Sequence, residues 1–276
     1  MDWAGYGLAT LALVFFGLYM VPRKLTGFGD RPFVLSMTLG IVLSTTLPLL
    51  LVYHTLLPAH GPGVWYALLC GPLWYLGVLL YSVSVSEMGL TLSTPIKNTT
   101  AVLGTLAGLI VFAEWRETRP VEALVGSVLV VVSAVIIGRT GENDCRRSCL
   151  TIKGTSAAIG AAVFFAAYAV PLKAAQRAGL DTLTLVAVTG WSILPTALVA
   201  LAVMDRDWRG WWRTPLREHG WAAVCGVLWV LGTVTMTEAI RRIGLAITWP
   251  FTNLNTIVTV ACGILLFHEV SVRKFW

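Results

Sequence analysis

Charge is scarce in this chain. Only 12% of the 276 residues are Asp, Glu, Lys or Arg, about half the roughly 25% of an ordinary globular chain. A water-soluble fold of this size could not cover itself with so few charges. A cytosolic enzyme, a disordered chain and a nucleic-acid binder are thereby excluded. Histidine is scarcer still: His54, His60, His219 and His268 are the full set, and none falls in the middle of an apolar block. No nucleophile–His–acid set and no phosphate-binding glycine loop occurs. The five cysteines lack metal-ligand spacing. Cys145 and Cys149 flank two arginines with no His or further Cys beside them, and a disulfide there would need an oxidising compartment. The start of the chain does not read as a cleaved leader, since it carries Asp2 in place of basic residues and no small-residue cleavage site follows. The ~10-residue alternating segments of a membrane β-barrel are missing as well.

What is present is apolar. Hydrophobic residues make up 57% of the chain and mean hydropathy is +0.77. The net charge of +6 comes from Lys and Arg placed between apolar blocks, the habit of membrane proteins. A spanning helix needs roughly 20 apolar residues. That rule predicts nine spans: Trp3–Pro22, Phe33–Tyr53, Val64–Val83, Met88–Ala113, Val121–Gly138, Thr155–Ala174, Thr182–Met204, Trp221–Ala239 and Gly244–Phe267. Loop 139–154, with Arg139, Arg146, Arg147 and Lys153, reads as a hinge. Loop 205–220 mixes four Arg with Trp208, Trp211 and Trp212 and reads as an interfacial anchor.

The two halves repeat. Phe15-Phe16-Gly-Leu-Tyr19-Met-Val21-Pro22-Arg-Lys24 returns as Phe164-Phe165-Ala-Ala-Tyr168-Ala-Val170-Pro171-Leu-Lys173. A second match runs without gaps at an offset of 155: Cys70 with Cys225, Trp74 with Trp229, Gly77 with Gly232, Gly89 with Gly244, Pro95 with Pro250, Asn98 with Asn253, Gly108 with Gly263 and Glu114 with Glu269. So many rare residues at fixed spacing mark a duplication. An odd helix count per half inserts the halves upside down relative to each other, the inverted repeat of many secondary transporters. Residues 1–138 form the first five-helix repeat, 139–154 the connecting loop, and 155–276 a second repeat that stops before its fifth helix. The expectation is therefore a truncated five-plus-five protein; a natural nine-helix protein is the other reading.

Several residues stand out. Lys97 lies about ten residues from Met88, or roughly 15 Å into its span. A charge at that depth faces a cavity or a partner, unless its stem snorkels to an interface. Its repeat mate is Thr252, so the charge is asymmetric. Glu238 or an anionic substrate group would serve as its partner. Pro95 and Pro250 each free a backbone carbonyl, which a membrane tolerates where the group is buried or lines a cavity; they are candidate hinges. Asn98, Thr99, Thr100, Asn253 and Asn255 follow them. The amides both donate and accept, which suits hydroxyl-rich ligands or serves as interhelical glue. Trp74 and Trp229 sit mid-span, where an indole stacks on a ring or packs against the other repeat. Tyr19, Tyr168, Tyr75, Tyr81 and Trp249 are candidates of the same kind. Glu114 and Glu269, at span ends, read as structural. Lys24 and Lys173 read as snorkelling helix-end charges, and Gly104-x-x-x-Gly108 as a close-packing seam inside the bundle.

These residues resemble the drug/metabolite transporter superfamily of ten-helix carriers. More narrowly they are similar to its glucose/ribose porter branch, which includes bacterial glucose uptake proteins and the rhamnose–proton symporter. The resemblance rests on Val21-Pro22-Arg-Lys24, Gly71-x-x-Trp74-x-x-Gly77, Gly89-Leu…Pro95…Gly108…Phe112-x-Glu114-Trp115, and their second-half counterparts Trp229, Gly244, Pro250 and Phe267-His268-Glu269. It implies an all-α membrane protein of two inverted five-helix halves, here without the tenth helix. It also implies alternating access around a cavity lined by the first, third, fourth, sixth, eighth and ninth spans. The expected function is secondary active or facilitative transport of monosaccharides or related polyols. The other reading on this scaffold is an exporter of amino acids, organic anions or other small metabolites and drugs. Substrate contacts are expected from Lys97, Asn98, Asn253, Asn255, Trp74, Trp229, Tyr19 and Tyr168, and coupling from Lys97 or Glu238. No cofactor or metal is expected, and proton or sodium coupling stays open. A membrane enzyme would cluster His, Asp or Glu near one interface, and the chain has no such cluster. The expected partners are a small molecule and the lipid bilayer, with no nucleic acid, in a monomer or homodimer. Thirteen Lys and Arg fall in one set of loops and six in the other, which predicts a multi-pass cell-membrane protein with its N-terminus outside.

Overall fold

A computed structural model describes residues 2–27, 29–55, 61–116, 119–141, 150–205 and 208–267. Cys145, Cys149, Arg146, Arg147, His60, His268 and Glu269 lie outside the described residues. The described residues form helices: α1 Trp3–Leu18, α2 Asp30–Tyr53, α3 Pro62–Lys97, α4 Thr100–Leu106, α5 Pro120–Gly141, α6 Ile152–Arg177, α7 Thr182–Ala200, α8 Trp208–Arg213, α9 Leu216–Ile243, α10 Leu245–Asn253 and α11 Asn255–Leu265. Their starts follow ordinary capping chemistry. Asp2 accepts from the Gly5 N–H, Thr151 from Gly154 and Asp181 from Thr184, each satisfying a donor the first turn leaves orphaned.

Among the described residues, seven apolar stretches are long enough to cross a membrane, against the nine read from sequence. The difference has a local cause. Pro62–Val111 runs as one apolar stretch of 50 residues, too long for a single crossing. It holds Val64–Val83 and most of Met88–Ala113, and the backbone leaves helical geometry at Gly89, where two helices meet at a kink. The fifth predicted span, Val121–Gly138, falls within α5, Pro120–Gly141.

The break at Gly89 has a twin. Gly89 has φ 80° and ψ 173°, and Gly244 has φ 81° and ψ 163°. This region is essentially closed to residues with a Cβ, so the repeated glycines are required by the backbone. Proline does not supply the sharpest turn: α3 runs through Pro95 to Lys97, and α10 through Pro250 to Asn253.

Packing is reciprocal between the halves. α1 lies along α9 and α3 along α6, while α2 packs on α9, α3 on α7, and α2 on α7. The absence of a side chain at Gly77 lets α3 close onto the Phe165 ring, and Gly232 does the same for Phe16. Gly104 and Gly108 face Trp249 and Ala246 of α10, so that seam lies inside the bundle. Five buried threonine hydroxyls are satisfied by their own helices. Thr38, Thr45, Thr105, Thr233 and Thr248 each donate to the carbonyl one turn back, as hydrocarbon surroundings demand. The outward face carries Leu43, Leu51, Ile110 and Val121, all largely exposed. On α8, Trp212 is exposed as an interfacial anchor would be. Trp211 instead turns inward and donates to Ser36 Oγ at 2.9 Å.

Candidate functional site

The α3–α4 junction at Asn98 and the α10–α11 junction at Leu254 meet inside the bundle. There the helices surround a partly open cavity of about 60 Å³, narrower than an ordinary small-molecule site. Its wall combines Tyr19, Trp74, Lys97, Tyr168, Trp229, Asn253 and Asn255 with Phe16, Thr100, Phe165, Thr233, Met236, Trp249 and Thr252. Seven of the sequence-predicted contact residues therefore come together.

Aromatic faces dominate. Trp74 and Trp229, repeat mates, meet at 4.5 Å between ring centres and 53° between planes. Tyr168 and Trp249 lie 6.4 Å apart at 47°. Three polar atoms of lining residues have no hydrogen-bond partner among the described residues: Tyr168 OH, Thr100 Oγ1 and Trp249 Nε1. Buried polar groups are normally paired, so these three atoms keep unused hydrogen-bonding capacity.

Lys97 closes α3 and is 6% exposed. Its ammonium stands 5.3 Å from the Tyr81 ring centre and 5.7 Å from that of Phe165. Tyr81 is itself held by a 2.6 Å hydrogen bond to Thr94 Oγ1.

Asn98 is placed differently from the other predicted contacts. Its Nδ2 lies 2.6 Å from each of Asn253 O, Asn255 Oδ1 and Thr256 Oγ1, three acceptors that share its two N–H groups. It ties the α3–α4 break to the α10–α11 break and is absent from the cavity wall. Asn98→Ala is expected to lower stability by about 1–3 kcal/mol, the cost of buried acceptors left unmatched; thermal unfolding in detergent measures it.

Glu238 is also away from the wall. It accepts from Thr182 and pairs with Arg241 and Arg242 near the end of α9, so the structure does not bring it to Lys97. Pro95 is buried in α3, and Pro250 lines a separate groove between α1, α5 and α10.

Glu114 and Lys173 turn inward. Glu114 Oε1 and Oε2 accept from the Leu245 and Ala246 N–H groups at 3.0 and 2.7 Å. The carboxylate thus caps α10 where Gly244 starts it. Ala113, at φ 54°, supplies the left-handed turn that aims it there. Lys173 stands 3.5 Å from Glu114 Oε1 and donates to Ile240 O. It is not a snorkelling charge: only 12% of its side chain is exposed.

Sequence reasoning missed Phe16, Phe165, Thr233, Met236 and Thr252 as wall residues. A signal existed for some of them. Phe16 and Phe165 belong to the duplicated phrase, and Thr252 is the mate of Lys97.

Long apolar helices packed around an aromatic cavity define a multi-pass membrane protein. The chain belongs to the sugar transport protein family, whose model matches residues 7–276. It is therefore a membrane sugar transporter by family and not an enzyme. Its relatives are distant. A protein of Streptococcus pyogenes serotype M1, provisionally named a sugar uptake protein, is 24% identical over 86% of this chain and 81% of its own length. One of Enterococcus faecalis with the same provisional name is 24% identical over 92% of this chain and 86% of its own. Another of Streptococcus agalactiae serotype V is 25% identical over 89% and 83%.

Proposed function

We propose that the protein carries monosaccharides or related polyols across the cell membrane by alternating access around the central cavity. The observation that carries this reading is the wall chemistry. Indole and phenol faces suit the apolar face of a sugar ring, and the unmatched Tyr168 OH, Thr100 Oγ1 and Trp249 Nε1 suit its hydroxyls. The provisional names of the relatives point the same way. The matched breaks at Gly89 and Gly244 and the reciprocal packing support two inverted halves rocking about this point, in the manner of the drug/metabolite transporter fold. The N-terminus lies outside on the loop-charge argument.

Uptake of labelled hexoses and pentoses into proteoliposomes tests the proposal, with and without proton and sodium gradients. Saturable uptake is expected, falling at least tenfold in Trp229→Ala while thermal unfolding shows the protein still folded. No saturable uptake of any sugar or polyol would overturn it. The gradients decide between coupled and facilitative transport. The second reading, an exporter of amino acids or organic anions, is favoured by one feature: the unmatched ammonium of Lys97.

A further inference from the structure

That ammonium narrows the substrate. Three cationic side chains of the described bundle are largely buried, and two of them are matched. Arg23 pairs with Asp30 at 2.9 Å and donates to Ser82, Ser86 and Thr26. Lys173 pairs with Glu114 and donates to Ile240 O. Lys97 has neither kind of partner: among the described residues no carboxylate lies within ion-pair distance and no acceptor takes its N–H groups. The ring faces of Tyr81 and Phe165 recover only part of what an ammonium loses on leaving water.

No acidic side chain offsets this charge. Among the residues of the cavity wall no Asp or Glu occurs, and Lys97 is the charged residue among them. A neutral sugar would leave this charge unmatched.

We propose that the preferred cargo is an acidic sugar, a hexuronate or aldonate, whose carboxylate sits on Lys97 Nζ while its hydroxyls meet the Tyr168, Thr100 and Trp249 side chains. This rests on the sugar-transport reading and deepens it. A single cation favours a monoanionic carboxylate over a dianionic phosphate, whose two charges would leave one unmatched.

The test uses the full chain in liposomes. Uptake of labelled glucose is competed with unlabelled glucose, glucuronate, gluconate, glucose 6-phosphate and lactate. Direct uptake of labelled glucuronate is followed in parallel, and each compound's protection against thermal unfolding is read on the unmodified protein. Glucuronate or gluconate is expected to compete at a concentration at least tenfold lower than glucose. Lys97→Gln is expected to abolish that preference while leaving measurable glucose uptake, and Lys97→Arg to restore part of it. Glucose transport with no advantage for either acid would overturn the inference and leave the sugar reading standing. Preference for glucose 6-phosphate would overturn the carboxylate assignment alone. Lactate carried as well as glucuronate would overturn the sugar reading, because the hydroxyls would then count for nothing. No transport and no protection by any sugar would overturn both. Should Lys97→Gln fail to fold, competition and protection on the unmodified protein still decide the matter.

Discussion

Glu114→Ala is expected to destabilise the protein by about 3–5 kcal/mol, the range for removing one partner of a buried ion pair. Three groups lose the carboxylate at once: the Leu245 N–H, the Ala246 N–H and the Lys173 ammonium, which keeps only neutral partners such as Ile240 O. The carboxylate is 3% exposed, so water has little access to take its place. Lys173→Met should cost less, about 1–3 kcal/mol, because the carboxylate keeps both backbone donors and the positive end of α10. Unfolding of both variants by added denaturing detergent, read by helical circular dichroism, checks the order. Equal costs would mean that the ion pair, and not the helix cap, holds this junction.

This junction also marks the limit of what could be read from the residues. Glu114 and Lys173 were visible as repeated, charged and close to span ends. Proximity to a membrane edge argued for a structural glutamate and an outward lysine. The glutamate does fill a structural position, but its target is the start of α10, distant in sequence, and no local pattern specifies that. Lys173 follows the glutamate inward for the same reason. Lys97 behaved otherwise. Its depth in an apolar run is a local property, and depth alone restricts a charge to a cavity or a partner. Trp74, Trp229, Tyr19 and Tyr168 were legible because the duplication repeats them and reciprocal packing brings repeated residues to one centre. Asn98 and Asn253 share a repeat position and yet differ, since Asn98 ties two breaks together while Asn253 lines the wall. A duplicated sequence does not say which copy of a pair faces the ligand; the asymmetry of the neighbours decides. The helix division at 62–111 was blurred for a related reason. Glycine in an apolar run reads as a packing residue, and its positive φ cannot be seen from composition.

Those glycines carry the second large effect. Gly244→Ala is expected to cost about 1–3 kcal/mol in backbone strain, since φ 81° with ψ 163° is closed to alanine. An added Cβ would also stand 3.2 Å from Glu114 Oε2, pressing on the cap itself. Because both substitutions damage one device, Gly244→Ala combined with Glu114→Ala should cost less than the sum of the two. A double-mutant cycle on the same unfolding curves measures the shortfall; strict additivity would show that glycine and cap act separately. The functional consequence follows from the wall. The turn at Gly244 sets the direction of α10, and α10 delivers Trp249, Thr252 and Asn253 to the cavity. An alanine that forces φ negative redirects all three side chains together. Uptake should therefore fall at least tenfold in Gly244→Ala at temperatures where the variant is still folded. If uptake instead followed the folded fraction alone, the turn would serve stability without aiming the wall.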